Sequence, residues 1–319
     1  MGQLNTPQKY VNPMVDVAFK YIFGKEKNKH LLKGLLEHVF KKEILDITYG
    51  NAEQIGEAMD SRNACFDVVC RSTNGPDFIV ECQVKTQDYF VKRAVFYSSR
   101  AITNQAPKGE WDYNFRPVYF LGLVDFTLPE SIGRSDGCVH SFSIRNDETG
   151  APMDDIVRYV FMEVEPFKKT LDECKTFEEK FLFYMKNLPT FVSKPDTHND
   201  KYFEDLLMEA EYLKMDTETQ AQYERRIKEM RDAKNIENYI RRTSMEQGLK
   251  EGMEQGLKEG MEKGLEQGLE QGLEQGLEQG LEQGIALATR AVVMIKEGRS
   301  IQEICASTGL SEEVVNKLV

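Results

Sequence analysis

The spacing of apolar residues changes several times along the chain, and each change predicts an element. Between 14 and 42, Phe19, Ile22 and Phe23, then Leu31, Leu32, Leu35, Leu36, Val39 and Phe40 recur every three or four residues, which predicts a helical region with one buried face. ILDITYG (44–50) predicts a short first strand. The runs NACFDVVCRS (63–72) and DFIVECQVK (77–85) alternate with a period of two and flank a Gly75-Pro76 turn, so they predict an antiparallel hairpin. Helical spacing returns at Phe90, Ala94, Tyr97 and Ala101, with Asp88 as the expected N-cap and an end near Pro107. PVYFLGLVDF (117–126) is almost continuously apolar, as in a strand buried on both faces, and DIVRYVFMEVE (155–165) predicts a further strand. Helices are expected over 171–188 and 201–242. The predicted fold class is α/β, a small mixed sheet flanked by helices and followed by a helical C-terminal tail.

The tail has a pattern of its own. From Glu246 to Gly284, glycine stands at every fourth position beside Leu, Met or Ile. Four residues turn an α-helix by about 400°, so the apolar stripe drifts by roughly 40° per repeat and winds around the helix. That period does not suit a left-handed coiled coil, which needs an apolar repeat of about 3.5. Each glycine costs about 1 kcal/mol relative to alanine. Glu246–Lys250 and Glu254–Lys258 favour a helix, whereas the glutamates stacked every fourth residue from 266 to 282 oppose it. In isolation the segment is expected to fray, and a partner helix would order it. Residues 285–298 then predict an amphipathic helix stopped by Gly298. SIQEICASTGLSEEVVNKLV (300–319) predicts helix, Gly309 turn and helix, with Ser300 and Ser311 as N-caps and Glu303 completing a capping box. Lys317 is the one base on the last helix, which favours protein contact over reading a DNA groove. Four segments are expected: a core over 10–165, a helical extension over 166–244, the repeat over 245–284 and a small module over 285–319.

Charge narrows the possibilities. The net charge is −12, yet residues 1–130 hold 16 Lys and Arg against 16 Asp and Glu, and the repeat carries much of the excess acid. Neutrality in the N-terminal part permits contact with phosphates without demanding it. Lys25, Lys27, Lys29, Lys33, Lys41 and Lys42 read as a solvated helix face. No apolar run reaches eighteen residues, so no membrane span is expected, and MGQLNTPQKY does not read as a secretory signal. The six cysteines (65, 70, 82, 138, 174 and 305) contain no CxxC pair and fit a reducing cytoplasm. The four histidines are scattered, without zinc-binding spacing.

Candidate chemistry lies in the hairpin. Side chains alternate across a strand, so Val80, Cys82 and Val84 would face a core while Glu81, Gln83 and Lys85 share the other face. Asp67 on the partner strand would then come close enough to Glu81 to share a cation, an arrangement for metal-assisted phosphodiester hydrolysis. The plainer alternative is a pair of acids on a solvent-facing strand. Arg93, Tyr97 and Arg100 fall on one helix face. The two arginines suit phosphate oxygens, or alternatively a core carboxylate, and Tyr97 suits packing.

The stretch NPMVDVAFKYIFGKEKNKHLLKGLLEHVF, followed in order by Asp67, by Glu81 and Gln83, by KRAVFYSSRAITNQ and by RPVYFLGLVDF, resembles the Rpn family of recombination-promoting nucleases or transposases, within the PD-(D/E)XK nuclease superfamily. The resemblance covers roughly residues 10–130. It implies a restriction-endonuclease-like αβββαβ core and an Mg²⁺-dependent DNA endonuclease of low sequence specificity, tied to recombination or mobile elements. Asp67 and Glu81 would hold the metal. Asp16 matches an acidic position of the family's opening motif and would either complete the metal shell or cap the first helix. The superfamily's usual third residue is a lysine. Gln83 stands there, as in the Rpn-like branch, with Lys85 as a possible substitute or a solvent-facing strand end. DNA is the implied partner, with self-association through the tail. The rival reading is a weakly active or inactive scaffold.

Overall fold

The computed structural model describes residues 9–50, 67–85, 89–129 and 137–319. The chain divides into two compact units, residues 1–232 and 233–319.

In the first unit, the predicted helical region is two helices, α1 (Asp16–Phe23) and α2 (Lys29–Phe40), separated by a turn of 3₁₀ helix. Gly24 closes α1, and a Cβ there would meet Lys20 O at 2.8 Å. The strands are β1 (Ile47–Tyr49), β2 (Val68–Ser72), β3 (Asp77–Gln83), β4 (Val118–Val124), β5 (Val139–Ser143) and β6 (Val157–Glu163), in sheet order β1-β2-β3-β4-β6-β5. β2 and β3 are antiparallel, as the hairpin pattern predicts, while β3, β4 and β6 run parallel. β5 pairs antiparallel to β6 at the sheet edge; its residues are mostly polar and half exposed, so no apolar pattern announces it.

The two faces of the sheet bury separate cores. Phe78, Val80 and Cys82 join α1, α2 and the later helices α4 (Phe177–Asn187) and α5 (Lys201–Glu209) in the larger one. Ile79, Val118, Phe120 and Phe161 face α3 (Phe90–Thr103), whose Phe90 and Ala94 complete the smaller core, with Tyr97 packed against it. Coverage by α3 buries β3 on both sides, against the alternative of acids on a solvent-facing strand. Residue Tyr89 occupies the N-cap position of α3, and Asp88 lies outside the described residues.

Two helix expectations change. The predicted 171–188 helix begins only at Phe177, where Thr176 and Glu179 form a capping box. The 201–242 helix is interrupted after Glu209, where Tyr10 bridges Glu211 in β fashion, and helix α6 (Thr217–Lys296) follows. The lysine run is largely ion-paired: Lys25, Lys27, Lys29, Lys33 and Lys42 each face a carboxylate within 4 Å.

In the second unit, α6 is helical through the whole repeat, a segment expected to fray in isolation. Leu, Glu, Gln and Lys are strong helix formers. Glutamine-to-glutamate bonds one turn apart, Gln247 to Glu251 at 2.8 Å and Gln255 to Glu259 at 2.9 Å, add local support. The repeat leucines are 66–75% exposed, and a Cβ on any repeat glycine would meet open space. Helices α7 (Ile301–Thr308) and α8 (Glu312–Leu318) start at the expected Ser300 and Ser311 caps, and Gly309 takes the left-handed conformation between them. Ala291, Ile304 and Val315 form a small core of their own. Among the described residues no helix is long and apolar enough to cross a membrane.

Gly122 of β4 lies beside Glu81 in register, and a Cβ there would meet Phe161 at 2.8 Å and Phe90 at 3.0 Å. Both rings are buried and hemmed in. Gly122→Ala is therefore expected to destabilise the fold by about 1–3 kcal/mol through overpacking, measured as a lower urea midpoint with an unchanged slope.

Candidate active site

Parallel strands β3 and β4 end side by side, and acidic residues collect at this carboxyl end. Open α/β sheets bind ligands outside the carboxyl ends of parallel strands. Val68 pairs with Val80, so Asp67 and Glu81 occupy the next positions along the two antiparallel strands. Asp67 Oδ2 accepts a hydrogen bond from the Cys82 backbone N–H at 2.7 Å. This bond ties the carboxylate, just before the first residue of β2, to the β3 backbone.

Both carboxylates are desolvated. The Asp67 side chain is 9% exposed and Glu81 is 3% exposed. Each has a cation. From α1, Lys20 Nζ stands 3.7 Å from Asp67 Oδ1, and from α3 the Arg93 guanidinium donates to Glu81 Oε1. Burial nonetheless dominates. It pushes the Asp67 carboxyl up to about 6, against the pull of the Cys82 N–H and Lys20. It pushes Glu81 up to about 7, against the pull of Arg93, with the Asp67 charge adding to the rise. The Cys82 thiol is raised well above its usual range, first by burial and then by Asp67, Asp125, Asp16 and Glu81, which marks this point as the convergence of four acids.

The remaining predicted residues separate. Asp16 is the first residue of α1, and Val15 takes the N-cap position. The Asp16 charge is felt at Asp67, and its Oδ1 is buried, with Arg226 Nε at 3.3 Å. Gln83 ends β3, and its Nε2 donates to Lys85 O at 3.2 Å. Lys85 lies past the strand and is exposed, so it does not share the Glu81 row. Arg93 takes the carboxylate-pairing alternative. Arg100 lies over the Phe96 ring at 5.9 Å, one turn further along α3. Two residues were not singled out from sequence. Lys20 stands one helical turn after Asp16, on the same face. Asp125 is the acid that closes the apolar run of β4. Both positions carry a signal that could have been read.

Among the described residues no three His, Cys, Asp or Glu side chains cluster closely enough to hold a metal ion. A two-carboxylate set still suits a hard divalent cation that keeps several waters. Glu81 Oε2 is buried without a hydrogen-bond partner among the described residues, an oxygen that a cation would satisfy. The donor set therefore fits such a group. Buried His140 and Glu163 form a separate pair, Nε2 to Oε2 at 3.1 Å, and Glu163 also accepts from the Leu128 N–H. Two clefts, of about 510 and 710 Å³, lie along β5 and do not include the carboxylates.

Residues 13–239 match the PD-(D/E)XK nuclease family transposases, well over half of the chain. The chain belongs to this family. Membership agrees with the six-stranded mixed sheet between helices and gives the protein a nuclease- or transposase-related function. Comparison with curated proteins and with solved structures gives no match.

The raised acids make stability pH-dependent in a definite direction. Carboxyls that ionise near pH 4 when unfolded hold their protons to about pH 6 and 7 when folded. Their contribution is fully present below pH 4 and is lost as pH rises toward 7, by about 3 kcal/mol for Glu81. In metal-free protein, Glu81→Gln is expected to flatten this loss between pH 4 and 8 in urea titrations. An unchanged pH dependence would show that Glu81 ionises normally in the fold.

Proposed function

We propose that the protein is a divalent-cation-dependent DNA endonuclease that hydrolyses phosphodiester bonds with low sequence preference. The observation that carries this reading is the buried pair Asp67 and Glu81, on adjacent strands, with Glu81 Oε2 left unpartnered. Asp67 and Glu81 are the residues that would hold the cation, Mg²⁺ in this reading, with Asp16 at the periphery. When bound, that cation supplies charge neutralisation at the scissile phosphate and a more acidic water. The protein's own part is to orient and to desolvate. Cys82 N–H and Lys20 fix the Asp67 carboxylate, Arg93 fixes Glu81, and the paired cores on the two faces of β3 keep bulk water away from both. Gln83 can orient a water through its amide. Arg100, over the Phe96 ring, is the candidate on α3 for a phosphate contact, since Arg93 already has its carboxylate. Low specificity follows if contacts go to phosphates and not to base edges. We assign the activity to DNA recombination or mobile elements in the cytoplasm.

The test is nicking of supercoiled plasmid by the full chain, with Mg²⁺ and with EDTA. Asp67→Ala and Glu81→Ala are each expected to lower the rate by at least about 10²-fold, the scale for removing an electrostatic group. Either variant nicking at the wild-type rate would place the chemistry elsewhere.

We further propose that the repeat in the second unit self-associates. Helices with glycine at every fourth position approach closely, and the exposed leucines supply apolar area. Deleting residues 245–319 is expected to lower the mass per particle in light scattering while the remainder stays folded by circular dichroism; equal masses would refute self-association through this segment.

A further inference from the structure

Two carboxylates that gather a phosphodiester and a water lack a positive charge on the strand that carries Glu81. Gln83 brings an amide, which orients a water without stabilising charge, and its Nε2–H donates to Lys85 O. Lys85 lies past β3 and is exposed. Arg93 is committed to Glu81 on the α3 side. A different element delivers the remaining cation. Lys20 stands in the last turn of α1, with its ammonium 3.7 Å from Asp67 Oδ1. The lysine side chain is 40% exposed and the carboxylate 9%, so the lysine is the more accessible member of the pair. Ala18, Phe19 and Ile22 of the same helix are fully buried, which fixes the lysine backbone by core packing. Asp67 lies just before the first residue of β2, where the Lys20 side chain reaches it from α1.

We infer that Lys20, in place of Gln83 or Lys85, supplies the positive charge of this site and holds the attacking water and a non-bridging oxygen of the scissile phosphate. The inference rests on the endonuclease reading above. In the step it serves, the water oxygen forms a bond to phosphorus, and the bond from phosphorus to the bridging oxygen breaks with its electron pair on that oxygen. The water's proton passes to solvent, and the departing oxygen takes one from solvent. Lys20 stays protonated throughout and acts through charge. Before a divalent cation arrives, the same ammonium is the counter-charge of Asp67, so the two cations compete for one carboxylate.

That competition separates a chemical role from a structural one. Wild type, Lys20→Met and Lys20→Arg, all full length, would be compared for Mg²⁺-dependent plasmid nicking, for Mg²⁺ affinity by calorimetry and for Tm. The expected result for Lys20→Met is a rate lower by about 10²-fold with Mg²⁺ affinity equal to or tighter than wild type, because the competing ammonium is gone. Lys20→Arg should recover part of the rate. Nicking by Lys20→Met at the wild-type rate overturns the inference and leaves the nuclease reading standing. A slower rate accompanied by weaker Mg²⁺ binding and a lower Tm also overturns it, since Lys20 would then only hold Asp67 in place. If wild type shows no Mg²⁺-dependent nicking, the nuclease reading falls and this inference falls with it.

Discussion

Burying two carboxylates next to each other carries a desolvation penalty that a hydrophobic core cannot offset, and only cations and aligned N–H groups can reduce it. The first unit is arranged around that constraint. β3 is sandwiched between two cores, so an acid on it has water on neither face. The compensating charges therefore come from helices: Lys20 from α1 on one face and Arg93 from α3 on the other. Compensation is incomplete among the described residues, as the raised Asp67 and Glu81 carboxyls and a Glu81 oxygen without a partner there show. Carboxyls perturbed in this way mark the spot as a functional-site candidate.

The opposite end of the sheet is built the other way. Asp155 accepts from Tyr119 and Lys42 and pairs with Arg158 at 2.9 Å, and Asp77 lies between Arg71 and Arg116. There, against the upward push of burial, hydrogen bonds from Tyr119 and Lys42 and the charges of Lys42 and Arg158 hold the Asp155 carboxyl below the usual carboxylate range. The Asp155 carboxyl, before the amino end of β6, is held down, whereas Asp67 and Glu81, toward the carboxyl end of β3, are pushed up. This asymmetry sets the two ends of the sheet apart electrostatically without reference to any relative. The two clefts along β5 lie apart from Asp67 and Glu81.

Different physics governs the second unit. Its repeat buries almost nothing, so its helix depends on local propensity and on one-turn side-chain bonds. Only the last helices gather a core, and it is small. Nucleation, the expensive step for an isolated helix, is relieved because α6 starts in the first unit with Tyr223 fully buried.

Much of the fold was legible as period and punctuation. The β2–β3 hairpin, the doubly buried β4, and the caps at Ser300, Ser311 and Gly309 follow from residues close together in sequence. Asp67 and Glu81 were legible for the same reason, since a short turn fixes which residues face each other. What the sequence left open depends on contacts between distant elements. Coverage of β3 by α3 turned an apparent solvent face into a buried one, and no local pattern reports a helix packed from elsewhere. The same packing sent Arg93 to Glu81, brought Lys20 to Asp67 across 47 positions of chain, and left Lys85 outside the row. The alternation of a strand determines which side chains lie together, but their environment is decided by what folds over them. Whether an acid there is solvated or desolvated, and which cation it meets, is therefore a tertiary property.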